Sequence, residues 1–167
     1  WSWSEHVGWM SWNCVSSPSC TIDYGVKFTG SDISGFIWSP NVGWVCMGSS
    51  CIGNAPDGRV SWANLDEDTS EAHGWGQILG LQDHGWISLN CAEYGVCASS
   101  NYRMMVSRAT GEVSGWIWNG NADGTGIGWI STNCVNQPGS CGVSNYFVTI
   151  NTTEQVCNNN EDDDFDL

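Results

Sequence analysis

Apolar and polar positions alternate along most of this chain. Trp1-Ser2-Trp3, Tyr24-Gly25-Val26-Lys27-Phe28 and Tyr102-Arg103-Met104-Met105-Val106 each place large side chains at every second position, the period of a half-buried strand. No stretch carries a convincing 3.6-residue apolar period. Gly, Asn, Asp, Ser and Pro gather between the alternating segments, as at Ser39-Pro40-Asn41-Val42-Gly43 and from Asn119 to Gly126, and mark tight turns. The pattern predicts an all-β fold of about twelve short strands.

The alternation itself recurs. Gly8-Trp9-Met10-Ser11-Trp12-Asn13-Cys14, Gly43-Trp44-Val45-Cys46, Gly85-Trp86-Ile87-Ser88-Leu89-Asn90-Cys91 and Gly128-Trp129-Ile130-Ser131-Thr132-Asn133-Cys134 are versions of one stretch, with their Trp residues 35, 42 and 43 residues apart. A period of that size marks a repeat architecture. We divide the chain into one repeat domain, 1–155, with repeats 1–34, 35–73, 74–114 and 115–155, and an acidic tail, 156–167. Each repeat reads as three short antiparallel strands, a, b and c, and c turns back into a of the next. Tyr24, Val26 and Phe28 give the first c strand one apolar face; Val60 and Trp62 do so in the second, Tyr102, Met104 and Val106 in the third, Tyr146, Val148 and Ile150 in the fourth. The third repeat departs at Gln77, where the others have Trp. A solenoid, a stack of sandwiches and propeller-like blades all accommodate this meander.

Cysteine adds covalent staples. Eight of nine cysteines fall into close pairs, one per repeat: Cys14 with Cys20, Cys46 with Cys51, Cys91 with Cys97 and Cys134 with Cys141. Local pairs at recurring positions predict disulfides and an oxidising compartment. Zinc is the weaker reading, because no second pair or His lies nearby in sequence. Each bridge closes a polar loop and is worth about 2–3 kcal/mol. Cys157 is left over and points to an intermolecular bond or a pairing outside the pattern. Trp9, Trp44, Trp86 and Trp129 share one position beside these loops and are expected to pack over the disulfides. Trp12 and Trp62 have no counterparts and are expected at the surface or an interface.

Charge narrows the partners. Four Lys and Arg stand against 18 Asp and Glu, for a formal net charge of −14. Such a surface repels nucleic acid and anionic membranes and suits divalent cations. No apolar run is long enough to insert into a membrane. Trp1 stands first, without Met, and we read a mature, processed chain. Asn158, Asn160, Asp162, Asp164 and Asp166 alternate through the tail beside Glu161, a spacing of oxygens that can wrap calcium. Asp66, Glu67, Asp68 and Glu71 form a second acidic stretch, read as a solvated loop. Asn151-Thr152-Thr153 is a glycosylation acceptor sequon. His6, His73 and His84 sit in or beside turns, and neither a nucleophile elbow nor a His-x-x-x-His metal pair is present. We expect no enzyme.

The repeat phase bears on assembly. The chain opens on an a strand that lacks its preceding c, and its last c strand lacks a following a. Ends of that kind close a ring within one molecule or join copies head to tail into a filament. The expectation from sequence is the second: Trp1 and Trp3 of one copy dock beside Tyr146, Val148 and Ile150 of the next.

Gly-Phe-Ile-Trp-Ser-Pro-Asn-Val-Gly-Trp (35–44), Ser-Gly-Trp-Ile-Trp (114–118) and Gly-Trp-Ile-Ser-Leu-Asn-Cys (85–91) resemble tandem repeats of large, predicted secreted surface proteins of microbes. The tail resembles the Asp-rich calcium motif often appended to them, with Phe165 and Leu167 where that motif has Gly. The resemblance implies a structural or adhesive cell-surface role, and calcium at Asp162, Asp164 and Asp166. Together these readings predict an extracellular structural protein that self-assembles into a fibre secured by disulfides and calcium. The alternative is a secreted carbohydrate-binding adhesin that uses exposed Trp.

Overall fold

The computed structural model describes residues 1–16, 20–121 and 123–150. Among these residues twelve short strands form one antiparallel sheet. β1 (Ser2–Ser4) and β2 (Gly8–Met10) make the first hairpin. β3 (Val26–Thr29), β4 (Asp32–Ser39) and β5 (Gly43–Gly48) follow, then β6 (Ala63–Leu65), β7 (Glu71–Ile78) and β8 (Trp86–Ser88). β9 (Met104–Val106), β10 (Glu112–Asn119), β11 (Gly128–Ser131) and β12 (Val148–Thr149) complete it. Short 3-10 turns begin at Cys14, Cys91 and Cys134. Among the described residues no helix is long and apolar enough to cross a membrane.

Hydrogen bonding runs from strand to strand through β2, β1, β11, β10, β8, β7, β5 and β4. The two ends of that path then meet. Ser11, just past β2, exchanges backbone hydrogen bonds of 2.7 and 2.9 Å with Trp38 of β4. The result is a closed ring of eight strands, which leaves a lumen that side chains fill. Alternation sends Ile37, Val45, Ile78, Ile87, Ile117 and Ile130 inward, where each is at most 1% exposed. β3, β6, β9 and β12 branch from one end. β6 lies between β4 and β7, and β9 between β7 and β10. β3 pairs with β4, and β12 with β10.

The ring is closed within one chain, where its first and last strands meet. Trp3 pairs with Ser131 of β11, and the Trp1 nitrogen donates to the Phe147 carbonyl at 2.9 Å. The amides of Phe36, Trp75 and Trp116 make the same bond to Gly25, Trp62 and Arg103. The docking of Trp1 and Trp3 beside Tyr146 and Val148, expected from sequence between two copies, is thus made within one chain. The physical reason is proximity, since a tethered strand meets its partner at a far higher effective concentration than a second molecule does.

Each of those bonds follows a glycine. Gly35, Gly74 and Gly115 have φ of +106°, +97° and +91°, and a Cβ there would lie 2.0–2.3 Å from the carbonyl oxygen of Gly25, Trp62 or Arg103. Only glycine lets the two backbones cross this closely. The Ser-x-Asn-Cys stretch has an equally local cause. Tyr24, Tyr102 and Tyr146 each hydrogen-bond Ser11, Ser88 or Ser131 at 2.9 Å, and those serines donate to the carbonyls of Asn13, Asn90 and Asn133. The three Asn side chains accept the amides of Val15, Ala92 and Val135, which caps the turns that carry the first cysteine of each pair.

All four expected disulfides form. The second differs in placement. Cys46 occupies the strand position held elsewhere by Ser11, Ser88 and Ser131, and Ser61 stands where the bonded Tyr stands in the others. Around it Cys51, Ala55, Trp75 and Trp86 form a separate small core. The second c strand is also shifted by one residue from expectation: Ala63 and Leu65 face the core, whereas Val60 is exposed. A one-residue slip exchanges the two faces of a strand.

Candidate functional site, an aromatic cleft

The residues opposite the buried isoleucines point outward, and many are Trp. Trp3 faces Trp9, Trp38 faces Trp44, and Trp118 faces Trp129 across neighbouring strands, with ring centroids 4.7, 4.7 and 4.4 Å apart. Each pair gains a tyrosine from an adjacent c segment: Tyr146 on Trp9 at 5.2 Å, Tyr24 on Trp44 at 5.1 Å, Tyr102 on Trp129 at 5.1 Å. Trp1, Phe36 and Trp116 pack edge-on beside them. Three aromatic stacks therefore climb the outside of the ring. Cross-strand aromatic pairs of this kind stabilise a sheet by about 0.2–1 kcal/mol each.

This corrects the expectation that Trp9, Trp44 and Trp129 pack over disulfides. Trp9 and Trp129 are more than a third exposed, and of the four repeat-position tryptophans Trp86 is the one in the buried core around Cys46–Cys51, beside Trp75. The period of two explains it, because a Trp adjacent to the buried Met10, Val45 or Ile130 must face out. Trp12 departs in the opposite sense. It is buried, and its indole N–H donates to the Ser2 hydroxyl at 2.8 Å. Ser2 stands where Ile37 and Ile117 stand on β4 and β10, so it leaves both space and an acceptor. Trp62 is half-buried, with the Arg59 guanidinium 4.1 Å above its ring. Asp57 accepts from both at 2.9 Å. Desolvation pushes the Asp57 carboxyl up, but the bonds from Trp62 and Arg59 outweigh it and hold the group below its usual value.

Two of the three stacks frame a cleft of about 1000 Å³. Trp1, Trp9 and Tyr146 line it from the β1–β2 stack, with Phe147 beside them; Tyr24, Trp38 and Trp44 line it from the β4–β5 stack. Trp1, Trp9, Trp38 and Phe147 are each 37–43% exposed, so ring surface is offered to solvent. Thr21, Ser144 and Asn145 add hydroxyl and amide groups. Among the described residues no charged side chain lines the cleft, although the chain as a whole is strongly acidic. A concave, largely apolar surface with a few polar groups is the usual form of a small-molecule site. The cleft joins residues from the first 44 positions to residues 144–147, a juxtaposition made by ring closure.

The remaining candidates from sequence stand as follows. Trp1, Trp3, Tyr146 and Val148 come together at the seam, and Ile150 packs against the core. The proposed calcium ligands Asn158, Asn160, Glu161, Asp162, Asp164 and Asp166 lie outside the described residues, as does Cys157. Asp66 accepts the amides of Asp68 and Thr69, so it orders its own loop. His73 lies 3.3 Å from Glu93, which also accepts the Gly74 amide. His84 lies 3.6 Å from Asp123 at the surface. Among the described residues no group of three or more His, Cys, Asp or Glu is placed to hold a metal ion.

Comparison of the chain with protein-family models, with curated proteins and with solved structures finds no match.

Proposed function

We propose that this chain is an extracellular, disulfide-stapled β-barrel that binds carbohydrate in the aromatic cleft. The observation that carries the reading is the convergence of solvent-facing Trp1, Trp9 and Trp38 with Asn145, Ser144 and Thr21 around one largely apolar concavity. The C–H faces of a sugar ring stack on indole, which supplies contact area at little entropic cost. Hydroxyl and amide groups at the rim then fix the sugar's orientation. The four disulfides fit an oxidising environment, and the resemblance to microbial surface repeats supports placement at a cell surface. Titration of the purified chain with a panel of neutral oligosaccharides, followed by Trp fluorescence, tests the reading. At least one glycan should change the emission saturably, and Trp38→Ala should move the response to about tenfold higher glycan concentration or beyond. A panel without any saturable response removes the proposal.

Self-assembly is the second reading, and one observation favours it. The outer side of β12 has no paired strand among the described residues, and an open edge invites a strand from another chain. In this reading calcium, held by Asp162, Asp164 and Asp166 of the tail, secures the contact. Sedimentation and electron microscopy with and without chelator decide it: fibres that loosen with chelator support it, and monomers under both conditions remove it.

A further inference from the structure

The fourth disulfide loop differs from the other three. Cys134 and Cys141 stand seven residues apart, against six, five and six in the earlier pairs, and the loop carries Gln137-Pro138-Gly139-Ser140. Pro presets the first corner of a tight turn, and Gly supplies the positive φ of the second. Gly139 accordingly has φ of +84° and ψ of −13°, and the Ser140 amide donates to the Gln137 carbonyl at 3.1 Å. The Ser140 hydroxyl donates to the Gln137 side-chain oxygen at 3.3 Å. That bond orients the side chain and leaves its amide N–H groups without a partner among the described residues. Between this turn and the Trp3–Trp9 pair lies a second hollow, of about 600 Å³. Its walls set aromatic rings against Gln137, Ser140 and Val143, and among the described residues no charged side chain lines it.

The two hollows share a wall. Trp9, Ser144 and Tyr146 line both. In strand order Trp9 on β2 stands between Trp3 on β1 and Trp38 on β4. The aromatic cleft extends from it toward Trp38, and the second hollow toward Trp3. Trp9 is also held in place: the rings of Trp3 and Tyr146 meet it at 61° and 80°, with centroids 4.7 and 5.2 Å away. Its 37% exposed surface is therefore a fixed ridge between two concavities. Resting on the carbohydrate reading of the cleft, we propose that the cleft and the second hollow are subsites of one groove, and that its ligand is a neutral, linear oligosaccharide with one sugar on Trp9 and its neighbours on either side. A single sugar reaches only one hollow, whereas a chain that crosses the ridge fills both. Charge selects among chains. A uronic or sulfated glycan meets the field of a protein with a formal net charge of −14, and an amino sugar finds no carboxylate among the residues lining either hollow. The sugar beyond Trp9 accepts a hydrogen bond from the Gln137 amide. It binds at reduced entropic cost, because its neighbour already tethers it.

Fluorescence titration of the whole chain with the monosaccharide, disaccharide and hexasaccharide of the glucose, mannose and N-acetylglucosamine series tests the assignment. In a series that binds, the hexasaccharide should bind at least about tenfold more tightly than the disaccharide. Gln137→Ala, at an exposed position, should weaken the hexasaccharide about threefold or more and leave the disaccharide unchanged, whereas Trp38→Ala should weaken both. A hexasaccharide no tighter than the disaccharide, or a Gln137→Ala effect that is absent or equal at both lengths, overturns the shared groove and leaves the cleft reading standing. The absence of a saturable response at any length removes both.

Discussion

Ring closure makes a quantitative prediction at Ser2. This residue is fully buried, and its hydroxyl is the acceptor for the Trp12 indole N–H at 2.8 Å. Trp12 is itself only 4% exposed, so water cannot replace the lost partner. Ser2→Ala removes one oxygen and leaves a donor buried without a bond, a change worth about 1–3 kcal/mol. For a domain of this size that lowers Tm by about 2–10 °C. Trp12→Phe removes the donor and part of the ring, so it is destabilising alone, but Ser2→Ala should then add little. The coupling between the two positions should be about 1 kcal/mol or more. Thermal unfolding of the four proteins, disulfides intact and followed by near-ultraviolet circular dichroism, measures the cycle. A Ser2→Ala protein within about 0.3 kcal/mol of the parent would refute the reasoning, because it would mean that β1 does not face the lumen of its own ring.

Three further outcomes follow from single sites. Gly115→Ala places a Cβ 2.0 Å from the Arg103 carbonyl at a φ of +91°, and should cost at least about 3 kcal/mol in denaturant unfolding. Burial pushes the Tyr102 hydroxyl up to about 12, against the opposing bond to Ser88 and with smaller contributions from Tyr94 and Glu93. The folded chain thus holds that proton more tightly than the unfolded chain, so the associated stability is intact below about pH 10 and is lost from there to about pH 12; burial also raises Tyr94, and in an ultraviolet titration the component that ionises near pH 12 should be the one that Tyr102→Phe removes. Trp38→Ala should weaken glycan binding by about tenfold or more, close to 1.4 kcal/mol, while costing stability only the Trp44 contact, about 1 kcal/mol.

Alternation, turns and cysteine pairing are local signals, and the residues that carry them behave as read. Met104 and Val106 face the core, Gly111 turns β9 into β10, and Cys91 meets Cys97. The errors arise where a local signal has two solutions. Val60 and Trp62 alternate as well as Ala63 and Leu65 do, and only the pairing of Ala63 with Gly74 selects between them. Trp12 reads as a surface residue until Ser2, ten positions away, is seen to leave room for it. The faces of Trp9, Trp44 and Trp129 were legible, since each adjoins an aliphatic or Met residue that must be inside. The cleft was not, because its walls are brought together by contacts as remote as Trp1 with Phe147, and a repeat pattern specifies neighbours without saying whether the last unit meets the first.

The cleft and the seam are the same structure, and this ties binding to stability. Trp1 and Phe147, which close the ring, also line the cleft. The stack of Trp116, Trp118 and Trp129 has the same ring geometry but lies away from the seam and contributes nothing to the cleft. A ligand of the cleft must therefore hold the seam shut. At a hundred times its Kd it should stabilise the fold by about 2.7 kcal/mol and raise Tm by about 5–10 °C. Ser2→Ala, which touches no ligand but loosens β1, should weaken binding, whereas Trp118→Ala should leave affinity unchanged. If Ser2→Ala is destabilised yet binds with the parent's affinity, the aromatic walls hold their places without the seam, and recognition belongs to each stack separately rather than to the closed ring.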